Sequence, residues 1–165
     1  MVVKRFGPQY LLSAIIPLLA ILSATAAQMD VKWTTLFDGK SLDGWTQAGD
    51  ANWHLVKDPG GDYVQAEKGT GFLVTPKSYG NFTLKVEWWA DTPANSGVFI
   101  RIQDPKAIGA DNAYEFNIFD TRPDQSFRTG GIVNVAKPRR KLDAGDGKWH
   151  TYELIVDGGD RKSTR

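Results

Sequence analysis

From Trp33 onward, apolar residues recur at every second position in short runs, and clusters of Gly, Asp, Asn and Pro cut the runs apart. Period two is the mark of strands with one buried face, and no window carries the 3.6 period of an amphipathic helix. Turn signals such as "DGK" (38–40), "DPGGD" (58–62), "EKGTG" (67–71), "TPANSG" (92–97) and "DAGDGK" (143–148) separate the runs. They place strands near 33–37, 52–56, 62–66, 71–75, 81–90, 97–103, 113–119, 130–134 and 149–157. The pattern predicts an all-β domain, and strands this short and evenly spaced predict a sandwich or barrel.

The longest strands carry the most information. In "NFTLKVEWWAD", Phe82, Leu84, Val86 and Trp88 share one face, and Thr83, Lys85, Glu87 and Trp89 share the other. In "GVFIRIQD", Val98, Ile100 and Ile102 oppose Phe99, Arg101 and Gln103. In "AYEFNIFD", Tyr114, Phe116 and Ile118 oppose Glu115, Asn117 and Phe119. If these strands are neighbours, one sheet face carries Glu87, Arg101, Glu115 and Asn117 among Trp89, Phe99 and Phe119. That face is either a solvated surface, with Glu87 and Glu115 flanking Arg101 as ion pairs, or a site. Rings beside charged and amide groups suit a sugar, whose C–H faces stack and whose hydroxyls need planar donors and acceptors.

Composition narrows the chemistry further. The 165 residues carry a formal charge of +1 without a long run of either sign, so no nucleic-acid footprint is present. Cysteine is absent, which excludes disulfides, cysteine nucleophiles and thiolate metal sites. His54 and His150 stand in no metal-binding spacing and are expected to be structural. Trp45, Trp53 and Trp149 are assigned to the core or its rim. The start has a leader's pattern: Lys4 and Arg5, an apolar run over 10–24, then "ATAAQ". Residues 1–27 are therefore read as a signal peptide, with cleavage after Ala26 or Ala27, and 28–165 as the domain. The expectation is a secreted or periplasmic, cell-envelope protein without stable membrane insertion after cleavage.

"TTLFDGKSLDGW" (34–45), "NFTLKVEWWADTPANSGVFIRIQD" (81–104), "AYEFNIFD" (113–120) and "GKWHTYELIVDG" (147–158), in this order, resemble the 3-keto-disaccharide hydrolase domain family. The resemblance runs from about Trp33 to Gly158 and implies a concanavalin-like jelly-roll β-sandwich. It also implies a carbohydrate substrate, a glycoside oxidised at C3; no cofactor is expected. Asp and Glu oxygens could hold a divalent cation, but no DxDxDG-type loop argues for one. A non-catalytic, lectin-like carbohydrate-binding module is the alternative, since one fold serves both. Two departures stand out. The family often has a small residue and an aromatic near Ile132–Val133, and its members continue past the "TYELIVDG" strand through further strands. The domain is thus expected to be C-terminally incomplete, with exposed sheet edges and low independent stability.

A ketone at C3 acidifies the C2 proton and places the C1 aglycone β to the carbonyl. The chemistry then asks for a carboxylate base, a cation or donor for the enolate oxygen, and hydroxyl contacts. Carried onto this chain, the resemblance implies Glu115 as base, Arg101 at the carbonyl or enolate oxygen, and Asp120 or Glu87 assisting proton transfer or holding hydroxyls. Asn95, Ser96 and Asn117 are the expected hydroxyl contacts and Trp89 a stacking platform. The bland alternatives are that Asp120 ends a strand as a turn former, and that Asn95 and Ser96 shape a loop whose backbone strain Gly97 eases.

Overall fold

A computed structural model describes residues 2–4 and 32–158. Among these residues nine strands follow in chain order: β1 (Val2–Lys4), β2 (Thr46–Gly49), β3 (His54–Val56), β4 (Tyr63–Gln65), β5 (Gly71–Val74), β6 (Phe82–Trp89), β7 (Ser96–Ile100), β8 (Tyr114–Ile118) and β9 (His150–Val156). No α-helix occurs among the described residues; a single 3-10 turn spans Gln125–Phe127. The all-β expectation holds. One sheet has the order β3-β4-β1-β6-β9, and two antiparallel pairs, β2-β5 and β7-β8, stand apart from it.

The core forms where the alternation predicts. Val86 and Trp88 of β6 meet Ile118 of β8, Ala90 and Ala144, with Leu84, Val98 and Tyr152 packed around them. Trp88 is fully buried, stacked on His150 at 4.6 Å and touched edge-on by Tyr152 at 5.1 Å. The β7-β8 pair therefore lies across the face of the β6-β9 sheet, with apolar side chains of both interleaved between them, which is a sandwich. The pairing of β6 with β9 runs from Phe82↔Val156 to Trp88↔His150, and it leaves Thr151, Glu153 and Ile155 exposed on the outer face.

Several sequence expectations are corrected. Residues 33–37 form no strand; Phe37 is buried alone, and Trp45 Nε1 donates to the Leu36 carbonyl at 3.3 Å. Residues 130–134 are not a regular strand either. Ile132 bridges Phe116 on one side and Ala136 on the other, and Asn134 turns the chain at φ 59°. The strand expected over 97–103 stops at Ile100, because Arg101 takes φ 54° and breaks the alternation. Conversely, β2 ("TQAG") has no apolar periodicity and exists by pairing with β5.

Both histidines are structural: His150 Nε2 lies 3.0 Å from Asp146, and His54 Nδ1 lies 2.9 Å from the Asn52 carbonyl. Trp149 is exposed at the rim, edge-on to Tyr63 at 5.7 Å. Val2–Lys4 pairs between β4 and β6. The apolar run at 10–24, the expected cleavage position and residues 159–165 lie outside the described residues.

Candidate functional site

The β7-β8 register decides which side chains can meet. Phe99 pairs with Glu115 and Gly97 with Asn117, so these four share a face; Val98 with Phe116 and Ser96 with Ile118 share the other. Val98 and Ile118 pack toward Trp88. The Glu115 face therefore looks away from the five-stranded sheet, and Phe99 meets Phe72 of β5 edge-on there, at 5.2 Å.

Glu115 is half-buried on this face. Its side chain lies directly over Gly97: a Cβ built there would sit 3.0 Å from Glu115 Cγ and 3.2 Å from Oε1. Gly97 is thus needed for space, not for backbone strain, since its φ is outside the left-handed region. Burial raises the Glu115 pKa above the ordinary carboxyl value, and the charge of Arg122 opposes the rise. Among the described residues no hydrogen bond or ion pair reaches its carboxyl.

Arg122 arrives by the loop that follows β8. Gln125 Nε2 donates to the carbonyls of Asp120 and Arg122, Asn117 Nδ2 donates to the Phe127 carbonyl, and Gly130 N donates to the Asn117 carbonyl at 3.0 Å. Asp124 caps the short 3-10 turn. These bonds fold residues 120–131 back along β8. Arg122 Nε is buried and has no hydrogen-bond partner, an arrangement that costs about 1–3 kcal/mol when left empty.

The other expected site residues separate into four places. Arg101 belongs to the end of the sandwich. Its guanidinium donates to the carbonyls of Tyr79 (3.4 Å), Gly80 (2.6 Å) and Gly158 (3.2 Å) and to Asn81 Oδ1 (3.2 Å), and lies 5.8 Å from the Phe82 ring. The guanidinium is a strut between β7 and the ends of β6 and β9, and it forms no ion pair with Glu87 or Glu115. Glu87 and Trp89 project from β6 opposite to Trp88, on the far side of the five-stranded sheet from Glu115. The expectation of one shared face fails here because β6 and β7-β8 belong to different layers, stacked about 10 Å apart.

Asn117 and Asp120 are interior. The Asn117 side chain is fully buried; its backbone carbonyl also accepts from the Tyr152 hydroxyl at 2.7 Å, and its Oδ1 has no partner. Burial raises the Tyr152 pKa, so that hydroxyl keeps its proton. The Asp120 side chain is 7 % exposed and sits 3.1 Å from Arg128 Nη2, whose side chain is 12 % exposed. It also accepts from the amides of Ala144 (2.5 Å) and Gly145 (3.4 Å). Burial alone would raise its pKa, but hydrogen bonds from Thr129, Arg128 and Ala144 outweigh that and hold the carboxyl below its ordinary value. Ser96 begins β7 with core-side parity, and Asn95 is exposed just before it. No group of three His, Asp or Glu side chains among the described residues is placed to hold a metal ion.

A family profile described as the 3-keto-alpha-glucoside-1,2-lyase-like domain matches residues 32–163. The chain belongs to this family. No curated protein and no solved structure matches it. In this member of the 3-keto-alpha-glucoside-1,2-lyase-like family, Glu115 is partly desolvated and has no hydrogen bond or ion pair on its carboxyl among the described residues. Sequence reasoning missed Arg122, Arg128 and Thr129. The clue was local, since "DTRPDQSFRTGG" is dense in turn formers and holds two arginines, but nothing in it says which arginine returns to β8.

Proposed function

We propose that this member of the 3-keto-alpha-glucoside-1,2-lyase-like family is an exported hydrolase of 3-keto-glycosides, 3-keto-disaccharides among them, with Glu115 as its base. The leader pattern at the start of the chain supports export. The observation that carries the enzymatic reading is the state of Glu115: half-buried, with no hydrogen bond or ion pair on its carboxyl among the described residues, and raised in pKa. A base of this kind removes a carbon acid's proton better than a solvated carboxylate does.

In the reaction, the Glu115 carboxylate takes the C2 proton, and the electron pair of that C–H bond moves into the C3 carbonyl as an enolate. The enolate collapses, the C1–O bond breaks, and the aglycone oxygen leaves with its electron pair and collects a proton. Water then adds across the enone, its hydroxyl to C1 and its proton to C2, completing a net hydrolysis. Elimination is the lyase half of this sequence. Asn95, exposed just before β7, would serve as a contact for a sugar hydroxyl.

The test is turnover of a chromogenic 3-keto-glucoside and of 3-keto-trehalose by the wild type and by Glu115→Gln. Release of aglycone by the wild type, reduced about a hundredfold or more in the variant, supports the base assignment. Binding without turnover, unchanged by the substitution, supports the lectin-like alternative and ends the enzymatic reading.

A further inference from the structure

We propose that Phe99, braced by Phe72, is the aromatic wall of the Glu115 site: it receives the sugar face that carries the C2 proton and selects a glucose-configured ring. The inference rests on the 3-keto-glycoside reading above and adds a binding and specificity residue to it. The strand register makes Phe99 the cross-strand partner of Glu115. The backbone of β8 says how close that partnership is. The Asn117 amide donates to the Gly131 carbonyl at 2.9 Å, and the Glu115 carbonyl accepts from the Val133 amide at 3.0 Å, both on the edge of β8 away from β7. Phe99 and Glu115 are therefore a non-hydrogen-bonded pair, the kind in which Cα atoms approach to about 4.5 Å and side chains lie closest. Two residues along β7 on the same face, Gly97 has no side chain. The Glu115 carboxyl leans over it, with Oε1 3.2 Å from where a Cβ would stand. The face thus offers a ring and a carboxyl side by side, above an open floor. Phe72 braces the Phe99 ring from β5, edge-on at 5.2 Å. Phe72, Phe99 and Glu115 are each only half-buried, so part of each is within reach of a ligand. A phenyl neighbour also accounts for the desolvation that raises the Glu115 pKa. Trp89 projects from the opposite outer face of the sandwich, out of reach of a sugar held at Glu115. In a glucose-configured ring the C2 and C4 hydrogens are axial on one face, on either side of the C3 ketone. With the C2 proton turned to Glu115, the C4 hydrogen of that face rests on Phe99. Inverting C4 puts a hydroxyl there instead, and a hydroxyl pressed against a ring loses its hydrogen bond to water.

The test uses the full chain as wild type, Phe99→Leu, Phe99→Tyr and Trp89→Leu, each checked for a cooperative thermal melt. The substrates are a chromogenic 3-keto-glucoside and its galactose-configured C4 epimer. The wild type is expected to favour the glucoside about tenfold or more in kcat/KM. Phe99→Leu should raise KM for the glucoside about five- to tenfold with kcat little changed, and narrow the preference over the epimer severalfold. Phe99→Tyr, which keeps a ring, should retain the wild-type KM, and Trp89→Leu should change neither quantity. Wild-type KM and preference in Phe99→Leu, or a raised KM in Trp89→Leu alone, overturn the inference while leaving Glu115 as base. If the wild type turns over no 3-keto-glucoside, the enzymatic reading fails. Trehalose binding to the wild type, followed by NMR on the Phe99 ring protons, then decides, as it does if Phe99→Leu does not fold. A shift of those protons keeps Phe99 as the sugar's wall, and none removes it.

Discussion

Asp120 allows a decision between a clamp and a proton carrier. It ties three stretches of chain together: the end of β8, the Arg128–Thr129 loop, and the 144–145 turn. Asp120→Ala leaves Arg128 buried without its carboxylate, and breaking a buried pair from one side costs about 3–5 kcal/mol. Arg128 keeps the Leu142 carbonyl at 2.9 Å, which places the loss at the lower end, about 3 kcal/mol. For a domain of this size that corresponds to a fall in Tm of roughly 10 °C. Asp120→Asn keeps the shape and should lose about half as much. The sign with pH follows from the lowered pKa. A carboxyl depressed in the folded state stabilises fully above the unfolded value of about 3.9, and that contribution disappears as pH falls through the folded value. The Tm gap between wild type and Asp120→Asn should therefore be full at neutral pH and close below about pH 4. The assay is thermal unfolding by circular dichroism from pH 7 to pH 3, with kcat measured well below both melting points. A clamp predicts lower Tm with kcat within a few-fold of wild type. Unchanged Tm with kcat reduced a hundredfold would instead place Asp120 in proton transfer and refute the structural reasoning.

Three further outcomes follow from named contacts. If Glu115 must be ionised to act, kcat/KM should rise with pH through a midpoint above the usual carboxyl range, and a midpoint near 4 would remove the argument from burial. Gly97→Ala puts a methyl 3.0 Å from Glu115 Cγ and 3.1 Å from the Phe116 carbonyl. Its expected effect is a loss of kcat of at least tenfold with a fall of about 1–3 kcal/mol in denaturant stability, and wild-type activity would show the carboxyl has room to move. Arg101→Ala should cost about 1–3 kcal/mol of stability through the lost hydrogen bonds, while Arg101→Gly should cost about 1 kcal/mol less, because φ 54° suits glycine. Equal losses would argue against backbone strain at that position.

The strand pattern was readable wherever one side chain in two had to reach the core. Phe82, Leu84, Val86 and Trp88 show this, since a one-residue error would have buried Lys85 and Glu87. The grouping of polar residues was not readable, because alternation tells which face of a strand a residue occupies and not which layer the strand joins. Glu87 and Glu115 have the same local pattern and end on opposite outer faces of the sandwich. Arg101 looked like a strand residue because Ile100 and Ile102 flank it, but its acceptors at 79–81 and 158 are distant in sequence. Asn117 resembled a surface amide because nothing in "YEFNIFD" announces that residues 127–131 fold over it. Glu115 was singled out because its residue type, strand position and motif agreed. The position of Arg122 depends on a loop whose path is set by tertiary hydrogen bonds.

The strut at Arg101 also says something about the order of events in folding. Its partners lie 20 to 57 residues away, all at the one end of the β6-β9 pairing where β6 begins and β9 finishes. The four bonds close only with β6, β7 and β9 in register, so they are expected to form after the folding barrier is crossed. Contacts made that late govern how fast the native state is lost and barely affect how fast it is reached. Arg101 therefore acts as a latch on the assembled sandwich, and removing it should shorten the lifetime of the folded state while leaving the refolding rate almost untouched.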